Sequence, residues 1–166
     1  MFCAMRRRRQ ILPPEECAAV RSRGTSGVLA LCGCEGTPYA VPLSYVYDGG
    51  NLYFHCAKSG YKLDIIRQNP RASFCVIDQD RIVPEEYTTY FRSVIAFGQI
   101  RVIEDDREKR TAIEKLAIKY APEDTAANRD HAISREWKLL CLLEMAIDHM
   151  TGKEAAELIK EKQKDT

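Results

Sequence analysis

The feature that most limits the fold is Asp48-Gly49-Gly50-Asn51, set between two runs of strand-forming residues. Adjacent glycines supply the positive φ angles of a tight two-residue turn, and such a turn joins antiparallel neighbours. Tyr39-Ala40-Val41-Pro42-Leu43-Ser44-Tyr45-Val46-Tyr47 enters the turn, and Leu52-Tyr53-Phe54-His55-Cys56-Ala57 leaves it. Ahead of both, Val28-Leu29-Ala30-Leu31-Cys32 reads as a strand turned by Gly33-Cys34-Glu35-Gly36, which completes an antiparallel meander. Pro42 sits inside the second strand and cannot donate to a ladder, so that point is an edge, a bulge or an opening.

The rest of the chain extends this β pattern and adds helices. Residues 72–78 read as a fourth strand, 79–89 as a polar loop, and 90–104 as a long run in which Gly98 marks a bulge or bend. Pro13-Pro14-Glu15-Glu16 opens a short helix. Ile113, Leu116, Ala117 and Tyr120 fall on one face of a helix over 105–120, with Asp106 and Arg110 as an i,i+4 pair and Pro122 as the stop. A second short helix covers 128–136. Residues 137–147 suit a buried helix or a strand and are read as the sixth strand. Thr151-Gly152-Lys153-Glu154 fits a capping box that opens a charged terminal helix. The expectation is a single domain over residues 1–166, mainly β with α additions: an antiparallel barrel of about six strands with a C-terminal helix.

Composition narrows the partners. The chain has 166 residues, 45% of them hydrophobic, which supports one core. Its 25 basic and 24 acidic residues leave a net charge of +1, so bulk attraction to nucleic acid or a membrane surface is not expected. No apolar run is long enough to span a bilayer. Arg6 to Arg9 form a basic arm without interleaved aromatics and read as a solvated tail; no apolar segment follows them as a secretory signal requires. The seven cysteines are irregularly spaced. Cys32 and Cys34 form a C-x-C with no accompanying ligand set, so the set reads as reduced thiols of a cytoplasmic protein, with no metal.

The stretch from Leu52 to Pro70 carries the first chemical signal. It reads as strand, turn and helix, with Ser59 as N-cap and Asn69-Pro70 as the stop. Lys58 and Lys62 flank the helix start, where backbone N–H groups are free, and both effects favour an anion. Residue types alone leave two possibilities open, an anion site or an ordinary connection with solvated lysines. On the strand, Leu52, Phe54 and Cys56 face one side while Tyr53, His55 and Ala57 face the other. His55 therefore points away from the core, as an active-site residue or as a structural histidine bonded to a carbonyl. His131 and His149 read as surface residues near element ends, and Trp137 as core, or else packed over a barrel end.

The run VPLSYVYDGGNLYFHCAKSGYKLDIIRQNPRASFCV, with YFRSVIAFG and the closing HMTGKEA, resembles the flavin-binding split-barrel proteins related to pyridoxamine 5′-phosphate oxidase. The branch named for 5-nitroimidazole resistance is the nearest in pattern, and the resemblance covers roughly residues 6 to 156. It implies a six-stranded antiparallel split β-barrel that forms a homodimer with FMN in the grooves between subunits. Val41, Pro42, Leu43 and Ser44 would then run beside the isoalloxazine ring. The junction of His55, Cys56, Ala57, Lys58 and Lys62 would hold the phosphate. Arg92 and Ser93 would approach the flavin from the other subunit. The resemblance also makes His55 the candidate catalytic residue and leaves the flavin as an alternative packing surface for Trp137.

The chain departs from the oxidases at Ala40 and Tyr45, where they carry an arginine and a lysine, and at Tyr61, where they carry an arginine before the phosphate lysine. Those changes argue against oxidation of pyridoxamine phosphate and towards the nitroimidazole-resistance branch. Two functions follow. One is an FMN-dependent reductase that takes electrons from a transiently bound NAD(P)H and passes them to a small nitroaromatic or quinone-like acceptor. The other is a protein that binds flavin, or haem through His55, without turnover.

Overall fold

The Asp48 turn forms with both glycines at positive φ, +56° for Gly49 and +90° for Gly50, and pairs Asp48 with Asn51 across it. The structure is a computed structural model and describes residues 5–164. Seven strands make one antiparallel sheet. They are β1 (Ser26–Cys32), β2 (Pro38–Ser44), β3 (Val46–Asp48), β4 (Asn51–Ala57), β5 (Arg71–Val83), β6 (Thr88–Val102) and β7 (Leu140–Glu154). Five helices accompany them: α1 (Pro14–Arg23), α2 (Tyr61–Gln68), α3 (Asp106–Tyr120), α4 (Ala126–Glu136) and α5 (Ala156–Lys164). The strand order is β2-β1-β5-β6-β7-β4-β3.

The expected count of six strands is corrected to seven, because the strand read over 39–47 is divided at Tyr45. Its first half pairs with β1 and its second half with β4, so the two edges of the sheet are consecutive pieces of chain. No ladder closes the sheet among the described residues, but the single residue between β2 and β3 makes it curl until its edges meet, and β2 lies against β4. Tyr45 is fully buried at this break. Its backbone leaves both ladders and is met by one side chain: the Tyr45 amide donates to the Tyr120 hydroxyl at 2.8 Å, and the Tyr45 carbonyl lies 2.8 Å from the same oxygen. The α3 helix thus satisfies backbone groups that a continuous strand would have satisfied itself.

Inside the curl, Leu29, Phe54, Phe74, Val94, Ile100 and Met145 form the core with Cys17 and Val20 of α1. Phe74 stands edge-on to both Tyr45 and Phe54, at 4.9 and 5.0 Å. A second cluster lies outside the sheet, where Ile113 and Leu116 of α3 and Ile133 of α4 cover Leu142. Trp137 packs there, as expected of a core residue, with the Lys109 ammonium 4.2 Å from its ring centre. Pro42 lies on β2, an edge strand, where its missing N–H does least harm. Gly98 marks a register shift against β7; a Cβ there would sit 1.8 Å from the Ala146 carbonyl oxygen, so β7 approaches too closely for any side chain.

Several expectations fail, each for a physical reason. Residues 79–89 are not a loop: Gln79–Val83 pair with Thr88–Arg92 as an arm of the β5–β6 hairpin, beyond a bulge at Asp78. The sixth strand runs over Leu140–Glu154 rather than 137–147. Thr151 to Glu154 is therefore strand, not a capping box. Thr151 pairs with Ile95, Gly152 closes onto Cys17, and Glu154 is buried to meet Arg92 at 3.0 Å and Lys162 at 3.0 Å. Arg110 pairs with Glu114 at 2.8 Å and with Asp130, not with Asp106. His149 is half-buried within β7, where its ring stacks on Phe97, whereas His131 is exposed in the middle of α4.

Candidate functional site

The strand–turn–helix junction forms where the sequence places it, between β4 and α2. Leu63, Ile65 and Ile66 are buried, which pins α2 to the sheet and fixes the direction of its N-terminus. The N-cap is Gly60 rather than Ser59, and no side chain caps the helix. Gly60 has φ +139°, a conformation open to glycine, so the chain turns into the helix one residue later than expected. The amides of the first turn consequently keep no side-chain acceptor. Asp64, the acidic residue of that turn, lies 3.4 Å from Arg67. Among the described residues neither Lys58 nor Lys62 makes an ion pair or a hydrogen bond. Lys58 is exposed and Lys62 half-buried. Two uncommitted cations and free N–H groups at one helix start make a donor set that fits a phosphate monoester.

Edge strand β2 flanks this junction. Tyr39 meets Tyr61 edge-on at 5.3 Å, and Val41, Leu43 and Cys56 pack against the same core. Pro42 and Ser44 point outward and are exposed. His55 is exposed on the outer face of β4, opposite Leu142, as the alternation requires. It makes no hydrogen bond among the described residues. Cys56 faces inward opposite Cys141, and burial followed by the Cys141 thiol pushes its own thiol up to about 12. Ala57 is exposed beside Lys58.

The fold does not bring Arg92 and Ser93 to this place. The His55 level of the sheet passes through Leu142 to Ile103, whose amide donates to the Leu142 carbonyl. Arg92 lies eleven residues earlier along the same chain, roughly 35 Å at about 3.3 Å per residue. Arg92 is bonded to Asp78 at 3.2 Å and to Glu154 at 3.0 Å. Asp78 would be raised by burial, but Arg23 and Arg92 hold it below the usual carboxylate range. This chain of charges, with Lys162 and Glu16 at its far end, was not legible in the sequence because its members come from five elements.

Away from the part that α3 and α4 cover at Leu142, the outer face of the sheet over β2, β1, β5 and β6 stays free of helices. The cross-strand row Pro42, Val28, Cys75, Ile95, Thr151 and the next row Ala40, Ala30, Ser73, Phe97, His149 run over its outer side. Val28 and Ile77 are exposed on it, and Cys75, Ile95 and Phe97 are half-buried. Among the described residues no group of three or more His, Cys, Asp or Glu side chains could hold a metal, and no helix is long and apolar enough to cross a membrane.

The family profile of pyridoxamine 5′-phosphate oxidase matches residues 13–154, and the chain belongs to that family. An uncharacterized protein of Rhizobium meliloti is 33% identical over 69 residues, which is 42% of this chain and 44% of that protein. The matched segment thus spans less than half of that relative. A candidate 5-nitroimidazole antibiotic resistance protein from Bacteroides thetaiotaomicron has a similar structure, with TM-score 0.72 and 20% identity, covering 87% of this chain and 86% of its own. A FAD-binding protein from Mesorhizobium loti gives TM-score 0.66 at 25% identity over 89% of this chain and 98% of its own. A FAD and haem binding protein from Mycobacterium smegmatis gives 0.72 at 21% over 89% and 74%.

Proposed function

We propose that this protein binds FMN at the β4–α2 junction and works as a reductase of small, flat acceptors such as nitroaromatics or quinones, with NAD(P)H as a visiting reductant. The observation that carries the reading is the pair of uncommitted cations, Lys58 and Lys62, at an uncapped helix start beside an exposed edge strand. The phosphate would rest on the α2 amides and both lysines, and the flat ring along Val41 to Ser44, whose outward side chains are small. The flavin supplies the electron chemistry. The protein supplies orientation and a partly dry surface, and His55, exposed on the outer face of β4, is the residue proposed to donate a proton to a bound acceptor.

The site is proposed to be shared between two copies. Supporting this are the helix-free apolar face that includes Pro42, and the distance that separates Arg92 and Ser93 from the junction of their own chain. A two-fold partner covers such a face and carries its own Arg92 to the opposite end. One observation favours the second reading, flavin or haem binding without turnover: no side chain of the described residues is bonded to His55 to feed it protons.

The test is made on purified protein. A flavin spectrum, with FMN identified by mass in the released cofactor, supports the first half. A colourless protein that leaves added FMN fluorescence unchanged at micromolar concentration refutes it. Steady oxidation of NADH or NADPH with a nitroaromatic or quinone supports the reductase; bound FMN without turnover leaves the binding function alone.

A further inference from the structure

Cys56 on β4 and Cys141 on β7 are direct cross-strand partners, and both pack against the same interior cluster. Opposed residues of an antiparallel pair have Cα atoms about 4.5–5.5 Å apart, inside the range of about 4.4–6.8 Å that a disulfide spans. The Cys141 thiol is near enough to help raise the Cys56 thiol. Every described cysteine is a free thiol, and no other two of them are register partners. A pocket of about 310 Å³ between α2, the end of β6 and α3 opens onto Cys141, lined also by Lys58, Arg67 and Lys109. Glu104 and Asp106 line it as well, so its three cations exceed its carboxylates by one and leave a small positive excess for a small anionic reagent.

We propose that Cys56 and Cys141 form a reversible cross-strand disulfide, a redox modification site that clips β4 to β7 just before the Lys58 turn, with a small anionic disulfide as oxidant. Cys141, which borders the pocket, gives its proton to solvent and as the thiolate attacks one sulfur of the small disulfide, releasing one small thiolate and leaving a mixed disulfide. Cys56 passes its proton to that thiolate and attacks the Cys141 sulfur, releasing the second small thiolate, which takes up a proton from solvent. In balance, two protein thiols and one small disulfide become one protein disulfide and two small thiols. Burial holds the Cys56 thiol up at about 12, so closure is slow at neutral pH and quickens as pH rises. The bond requires no flavin, and its formation is independent of the reading above.

The full-length folded protein is incubated with oxidised glutathione, alkylated without reduction, and mapped by mass spectrometry. The expected result is one joined peptide pair containing Cys56 and Cys141, lost on treatment with dithiothreitol, while Cys32 and Cys34 are alkylated or glutathionylated as exposed thiols. The Cys141→Ser variant should give no joined pair at Cys56. Cys56 and Cys141 recovered as separately alkylated peptides, or each carrying glutathione, overturns the proposal. The wild-type map decides the question by itself if the variant fails to fold.

Discussion

Replacing Tyr120 by Phe should expose how the broken strand is held. The variant keeps the ring and deletes one hydroxyl, which accepts from the Tyr45 amide at 2.8 Å and lies 2.8 Å from the Tyr45 carbonyl and beside the Thr25 carbonyl. Tyr45 is 0% exposed, whereas Tyr120 is 42% exposed and the bonds to its hydroxyl are part-buried, so water replaces the lost acceptor only in part. Leaving a buried amide unpaired costs about 1–3 kcal/mol, and the hydrogen bond donated by the hydroxyl adds about 1 kcal/mol more, for a total of about 2–4 kcal/mol. For a chain of this size each kcal/mol moves the midpoint by about 2–4 °C, so Tm should fall by roughly 4–16 °C. Differential scanning calorimetry at one protein concentration measures it. Tyr87→Phe is the control, since Tyr87 is 98% exposed and should melt with the wild type. A Tyr120→Phe midpoint within about 1 °C of the control refutes the idea that α3 satisfies the Tyr45 backbone.

Gly98→Ala should destabilise by more than about 2 kcal/mol in urea unfolding, because its Cβ would stand 1.8 Å from the Ala146 oxygen; an unchanged midpoint contradicts the close approach of β7. Asp78 has its folded pKa held below the unfolded value, so its contribution is present above about pH 4 and disappears as pH falls through the folded pKa. Asp78→Asn should flatten the loss of stability between about pH 5 and pH 2; an acid response as steep as the wild type's would rule out this role. Ile95→Glu places a charge in the centre of the helix-free sheet face and should yield a monomer in sedimentation with FMN affinity lost, whereas a dimer with normal affinity would remove the shared-site proposal.

The β pattern was legible because local chemistry sets it. The Gly49-Gly50 turn, the alternation in β4 and the Gly98 bulge each follow from nearby residues. The division at Tyr45 was not, since it depends on Tyr120, distant in sequence and itself apolar in pattern. Thr151 to Glu154 matched a helix start as well as it matched a strand, and the choice is made by partners elsewhere: Ile95, Cys17 and Arg92. The arm over 79–89 looked polar because both of its strands leave the core. At the site, the outward direction of His55 could be read from strand alternation, and the place of the two lysines beside the start of α2 from the strand–turn–helix pattern, although the helix starts after Gly60 rather than Ser59. That Arg92 is tied to Asp78 and Glu154 could not, because ion pairs between strands have no sequence period.

The phosphate cradle is tested most directly by titrating FMN and riboflavin into wild type and Lys62→Ala, followed by quenching of flavin fluorescence. A charged hydrogen bond contributes about 1.5–3 kcal/mol. Loss of Lys62 should therefore weaken FMN by roughly 10- to 150-fold. Riboflavin lacks the phosphate and should bind both proteins alike, which separates anion recognition from damage to the fold. Equal FMN affinity in the two proteins, or an equal loss for both flavins, would contradict a phosphate held at the start of α2.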